Sequence, residues 1–296
     1  MTTSLTKQFR VFRGPSAVVT AMGPNVLALA GFDGVHTGHQ ALLRRAAEEA
    51  AERGLPVGAA TFDDRKRTRR GGHKDLPALS SLSDRLRLMR DAGMDFVVLF
   101  PGNPATLGIP EEVFTHRILL GVMKTQLVVL RGRDGSSGSG STATEPDIEA
   151  IAVSRVGPSC WVSTTRVRER LGVGDVEAVN ELLGRPYALT ATVRDAAGGW
   201  TIASVPLSRV IPAPGHYRVA LEFASGSERA LVESMATIFP AGSDPPGRVH
   251  LAIDRPVDHG RLRVGFLARC TAAEVTEPAK RRSESVVTAS PRYEVR

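Results

Sequence analysis

Two histidines, His36 and His39, stand three residues apart in the stretch Gly31-Phe32-Asp33-Gly34-Val35-His36-Thr37-Gly38-His39. An apolar run, Val26 to Ala30, precedes them, and an amphipathic helical pattern follows. That context puts both imidazoles on the first turn of a helix, beside backbone N–H groups that lack intrahelical acceptors. The helix N-terminus carries partial positive charge, so the turn reads as a cradle for phosphate, lined by Gly31, Phe32, Asp33 and Gly38. These residue types together point to a nucleoside triphosphate and to transfer of a nucleotidyl group. A turn kept for geometry alone, with histidines that merely pack, leaves their coincidence unexplained.

The flanking sequence predicts the elements that hold such a turn in place. Val26–Ala30, Val57–Phe62, Phe96–Phe100, Gln126–Leu130 and Ile148–Val153 read as strands. Between them lie helical patterns over Gln40–Arg53, with Leu43, Ala46, Ala47 and Ala50 on one face, and from Ser81 through Asp91. Ser81 and Asp84 form a capping box, with Leu82, Leu86 and Met89 facing inward, and Gly54 and Pro56 stop the first helix. Pro110, followed by Glu111 and Glu112, starts a further helix. Strand and helix in alternation predict an α/β fold with a doubly wound parallel sheet, whose ligands bind at the strand carboxyl ends. Residues 134–146 are Gly/Ser/Thr-rich and read as a mobile loop.

Two short helices, about 165–171 and 175–183, come next, closed by Gly184 and Pro186. Beyond Pro186 the segments Tyr187–Val193, Trp200–Val205, Tyr217–Phe223, Arg248–Ile253 and Leu262–Ala268 are short, alternating and separated by turn residues. They predict an antiparallel sandwich or barrel. The expected organisation is a nucleotide-handling domain over 1–184, a smaller β domain over 185–275 and a disordered polar tail over 276–296.

Composition narrows the class. The chain has 296 residues, 42% hydrophobic and 23% charged, enough for two domains with cores of their own. It shows neither a signal-peptide pattern nor an apolar run of membrane-spanning length. The two cysteines, Cys160 and Cys270, lie far apart without metal-ligand spacing, which favours a reducing cytoplasm with both thiols buried. A net charge of +7 suits anionic small molecules. With 5% aromatics and none interleaved with the basic runs, nucleic acid is not the expected partner.

With these residues in view, the chain resembles the bacterial bifunctional riboflavin kinase/FMN adenylyltransferases, the prokaryotic FAD synthetases, from about Val26 to Ala268. Gly31–His39 followed by Gln40-Ala41-Leu42-Leu43 is similar to that family's first motif, and Thr61-Phe62-Asp63 to the start of its second. Ser163-Thr164-Thr165-Arg166-Val167-Arg168 resembles the Ser-Ser-Thr-x-x-Arg signature of the nucleotidyltransferase superfamily. Asn180 to Tyr187 resembles the junction into the kinase module, and Leu262 to Ala268 that module's last strand.

The resemblance implies a Rossmann-like nucleotidyltransferase domain followed by a riboflavin-kinase-type barrel. It implies ATP with Mg²⁺, flavin as substrate and product (FMN and FAD), and AMP transfer with release of pyrophosphate. His36 and His39 would hold the ATP phosphates, Ser163, Thr164 and Thr165 would add hydrogen bonds, and Arg168 would contact the β and γ phosphates. Thr61, Asp63, Arg65 and Lys66 would line the acceptor site. No dedicated protein metal site is expected, although Asp33 or Asp63 could assist Mg²⁺ through water.

The departures from the family pattern are specific. Asp64-Arg65-Lys66 replaces Pro-His-Pro, and Ala30-Gly31 replaces Gly-Asn. Leu130-Arg131-Gly132-Arg133-Asp134 stands where Gly-x-Asp-Phe-x-Phe-Gly is expected. Ser204-Val205-Pro206-Leu207-Ser208-Arg209 replaces the kinase's Gly-Phe-Pro-Thr-Ala-Asn, and Arg248 occupies the place of its glutamate base. An arginine accepts no proton at working pH, so riboflavin phosphorylation is predicted lost. Two alternatives stay open: a nucleotidyltransferase with a non-flavin acceptor or another nucleotide, and a non-catalytic nucleotide or flavin binder.

Overall fold

The computed structural model describes residues 8–15, 23–63, 77–110, 113–131, 149–153, 162–197, 200–225, 228–239, 248–253 and 260–271. The chain divides into two compact units, Met1–Thr164 and Thr165–Arg296.

The first unit contains β1 (Arg10–Arg13), β2 (Asn25–Leu29), α1 (Thr37–Arg53), β3 (Val57–Asp63) and α2 (Leu82–Asp91). It continues with β4 (Phe96–Pro101), the short α3 (Pro104–Leu107), α4 (Phe114–Val122), β5 (Thr125–Arg131) and β6 (Glu149–Val153). The six strands form one sheet in the order β1-β4-β3-β2-β5-β6, every pair parallel. From β2 the chain steps outward through β3 to β4, then returns to the other side of β2 for β5 and β6. The order therefore reverses between β2 and β5, where open α/β sheets bind their ligands.

Side chains alternate along each strand, so each strand feeds two cores. Val26, Ala28, Val57, Ala59, Val97, Leu99, Leu127 and Val129 face one way and pack on Leu42, Leu43, Ala46 and Ala50 of α1 and on Met89 of α2. Leu27, Ala60, Phe96, Val98, Phe100 and Val128 face the other way, with Leu119 of α4 and with Met123. The sheet is thus covered on both faces, as the unbroken apolar character of its strands requires.

Local signals set most of the ends. Gly54 closes α1 with φ 65°, and its N–H reaches the Ala50 and Ala51 carbonyls. Ser81 caps α2 by accepting from the Asp84 N–H, and its hydroxyl bonds the Asp84 carboxylate at 2.6 Å. Glu49, buried on α1, is held by Arg45 and Arg53, and its bond raises the Arg53 pKa. The helix expected from Pro110 is observed as α4, from Phe114; the Phe114 N–H bonds the Pro110 carbonyl, and at the far end the Met123 N–H reaches the Ile118 carbonyl.

The second unit opens with α5 (Thr164–Val173), whose first residue closes the first unit, and α6 (Val176–Leu183). Then follow β7 (Tyr187–Ala197), β8 (Trp200–Pro206), β9 (Gly215–Ser225), β10 (Glu228–Ile238), β11 (Arg248–Ile253) and β12 (Arg261–Cys270). These strands close a barrel in the order β10-β11-β8-β7-β12-β9, antiparallel throughout, with β9 and β10 paired residue for residue from Gly215↔Ile238 to Ser225↔Glu228. Of sandwich and barrel, the structure selects the barrel. Asn180 of α6 ties helix to barrel by donating to the Phe266 carbonyl and accepting from the Tyr187 N–H.

Cys270 corrects one expectation: it is half-exposed at the end of β12, where the strand leaves the barrel, rather than buried. Cys160, the Gly/Ser loop and the polar tail lie outside the described residues. No helix among the described residues is long and apolar enough to cross a membrane.

Candidate functional site

Between β2 and α1 the chain passes through residues 30–36 at the carboxyl edge of the sheet, beside the order reversal. The turn is strained. Phe32 has φ 49°, Gly34 φ 78° and Val35 φ 41°, and a β-branched residue at positive φ is an outlier. Such conformations cost about 1–3 kcal/mol each and persist only where the surroundings impose them. Here the Phe32 and Val35 side chains are sunk completely into the core beneath α1.

A second clamp comes from the segment entering α2. Oδ1 of buried Asp33 accepts the Leu79 and Ser80 N–H groups at 2.9 and 3.2 Å, and Ser80 Oγ accepts the Gly34 N–H at 2.9 Å. Asp33 therefore latches the turn to the start of α2. Thr61, at the end of β3, donates its hydroxyl to the Gly31 carbonyl at 2.8 Å.

His36 is the N-cap of α1, and its Nδ1 accepts the His39 N–H at 3.2 Å. An accepting Nδ1 carries no proton, so the neutral ring keeps its hydrogen on Nε2, where it can donate. The two imidazoles stack with centroids 3.7 Å apart and planes 13° from parallel, and His39 leans on Phe32 at 5.2 Å. Gly38 makes this stack fit: a Cβ there would lie 3.2 Å from the His36 ring and 3.7 Å from the Val162 carbonyl oxygen. That last contact brings the chain entering Ser163 and Thr164 against the first turn of α1, within the first unit.

Thr165 is exposed and Arg168 half-buried on α5, in the second unit. Asp63 pairs with Arg13 at 3.1 Å. Arg65 and Lys66, with the rest of the basic run, lie outside the described residues. Among the described residues, no group of three or more His, Cys, Asp or Glu side chains is placed to hold a metal ion.

Arg85 is the residue that pattern reading passes over. It is buried on α2 beneath the turn, donating to the Gly31 carbonyl at 3.2 Å, Thr61 Oγ1 at 3.4 Å and the Phe62 carbonyl at 3.1 Å. The signal was present: position 85 shares the inward stripe of Leu82, Leu86 and Met89, and a charge on an apolar stripe needs a reason.

In the barrel, strand register makes neighbours of two departures from the kinase pattern. Arg248 of β11 stands opposite Pro206 of β8, next to the turn that carries Leu207 and Arg209.

The first unit is thus a Rossmann-like parallel sheet with His36 capping α1 beside its order reversal. Residues 19–159 match the family model described as FAD synthetase. It is similar to the bifunctional riboflavin kinase/FMN adenylyltransferases of Listeria monocytogenes (28% identical over 66% of this chain and 67% of that protein) and Bacillus subtilis (29% over 67% and 67%). The Escherichia coli K12 protein of the same name is 28% identical, again over 66% of this chain and 67% of its own length. A crystal structure described as a macrolide-efflux protein from Streptococcus pneumoniae shares the fold, with TM-score 0.70, 23% identity and coverage of 90% of this chain and 94% of that one.

Proposed function

We propose that the protein transfers AMP from ATP to the phosphate of FMN, forming FAD and pyrophosphate. The observation that carries this is the stacked His36–His39 pair at the N-terminus of α1, on a turn clamped from beneath at the sheet's order reversal.

The chemistry needs little from the protein beyond placement. A phosphate oxygen of FMN, already anionic, attacks the α-phosphorus of ATP. A new P–O bond forms, the bond from that phosphorus to the β-bridging oxygen breaks, and the electron pair leaves with pyrophosphate. No general base is required, so the enzyme's share is alignment and neutralisation of the departing charge. His36 Nε2–H and the positive N-terminal end of α1 would hold the phosphates, with His39 stacked behind. Ser163, Thr164 and Thr165 would add donors, and Arg168 would meet the β and γ phosphates. Mg²⁺ would enter with the triphosphate and spread its charge, held mainly by phosphate oxygens and water.

The barrel is read as a riboflavin-kinase module that has lost its activity. Support comes from Leu207, Arg209 and Arg248, which cannot supply the metal-binding oxygens or the base. A second acceptor reading rests on Asp64-Arg65-Lys66, which puts two cations where the family has Pro-His-Pro.

Pyrophosphate release from ATP with FMN, followed alongside FAD formation, tests the proposal. His36→Ala, His39→Ala and Arg168→Ala should each lower turnover at least about 100-fold while circular dichroism stays native. Release with other phosphorylated acceptors but not FMN would transfer the reading to the second acceptor class. Wild-type turnover undiminished in all three variants would end it.

A further inference from the structure

The strained turn is gripped from one continuous segment. Leu79 and Ser80 hold Asp33 and Gly34, and Arg85, one turn into α2, holds Gly31. Arg85 does this from full burial, and the same guanidinium reaches Thr61 Oγ1 and the Phe62 carbonyl at the end of β3. A planar fork can serve acceptors on several sides at once, which a single ammonium cannot.

The Gly31–Phe32 peptide is where this grip matters. In a trans peptide the carbonyl and the N–H point in opposite directions. With the Gly31 carbonyl drawn to Thr61 and Arg85, the Phe32 N–H is turned away from β3 and α2. The same peptide leads into the φ 49° of Phe32, a conformation that relaxes unless it is imposed. Gly31 is exposed, and a Cβ there would meet nothing within 4 Å, so this peptide borders open space rather than packed core.

We infer that Arg85 is a positioning residue for the phosphate turn, fixing the Gly31–Phe32 peptide so that the turn presents its donors to a nucleotide's phosphate chain. The inference rests on the reading of that turn as a triphosphate site. It assigns Arg85 no contact with substrate.

The test compares ATP with adenosine, which shares the nucleoside but lacks the phosphates. Dissociation constants for both are measured by calorimetry or by NMR titration on the wild type, Arg85→Lys and Arg85→Gln, each checked for folding by its melting temperature. A positioning role predicts that the affinity ratio of ATP to adenosine falls at least tenfold in Arg85→Gln and several-fold in Arg85→Lys, with adenosine affinity held within twofold. A ratio unchanged in a folded variant overturns it, and so does failure of both variants to fold, which would make Arg85 purely structural. Wild-type protein that fails to prefer ATP over adenosine would instead sink the triphosphate reading itself. Wild-type preference for ATP without FAD formation would leave Arg85 to be judged on the ratio alone.

Discussion

His36 caps α1 with one ring nitrogen and, in the proposed function, offers the other to phosphate. Its Nδ1 is committed to the His39 N–H, which leaves Nε2 as the donor. The ring has no room to retreat, because His39 stacks against it and Phe32 backs His39. Gly38 is therefore a sensitive probe. Alanine at a helical position normally gains about 0.5–1 kcal/mol over glycine. At Gly38 the added Cβ would sit 3.2 Å from His36 Nδ1 and Cε1 and must push the imidazole by a few tenths of an ångström. We expect Gly38→Ala to leave the melting temperature nearly unchanged and to lower turnover about tenfold, through misplacement of a phosphate donor. Steady-state kinetics beside a thermal melt check this, and full activity would show that the His36 position is not critical.

At the scale of elements, the site is a junction between the β2–α1 turn and the segment entering α2. Asp33 joins the two, and replacing it with alanine strips an acceptor from the Leu79 and Ser80 amides. Asp33→Ala should lower unfolding free energy by about 2 kcal/mol, the usual cost of buried donors left unpaired. Asp33→Asn, which keeps an accepting oxygen, should lose less. Urea midpoints at constant m-value would measure both, and an unchanged midpoint in the alanine variant would remove the latch from the account.

The helices and strands of this region were legible because their signals are local: Ser81 as cap, Gly54 as stop, apolar runs between them. Three elements were not. β1 is four residues long, two of them arginine, and is a strand only because it lies along β4 at the sheet edge. The short α3 spans four residues, too few to carry a periodic pattern. β10 reads Glu-Arg-Ala-Leu-Val-Glu-Ser-Met-Ala-Thr-Ile, rich in helix formers, and is held extended by eleven paired positions along β9. Tertiary pairing overrides propensity there.

For the whole molecule, two units invite the question of whether both are enzymes. The barrel is a closed six-stranded structure. Its fold survives the changes at Leu207, Arg209 and Arg248, because these lie at the end of β8, in its following turn and at the start of β11. Burial on both sides of these positions is carried by residues such as Val205, Ala203 and Ile253. We expect riboflavin with ATP and Mg²⁺ to yield no FMN above the enzyme-free background. Chromatographic detection of FMN at a rate scaling with protein concentration would restore the kinase.

Chain order alone dictated what depends on near neighbours: alternating strands and helices, the glycine-bearing turn with its two imidazoles, the caps, and the change to short β segments after Pro186. Signals that span a few residues survive without the rest of the molecule. Three-dimensional packing alone decided the strand order and its reversal beside β2, the closure of the barrel through β9 and β10, and the burial of Arg85 under Gly31. Each of those joins residues tens of positions apart. Their pairing is chosen by which combination buries most apolar surface while leaving the polar groups bonded, and no stretch of chain carries that information by itself.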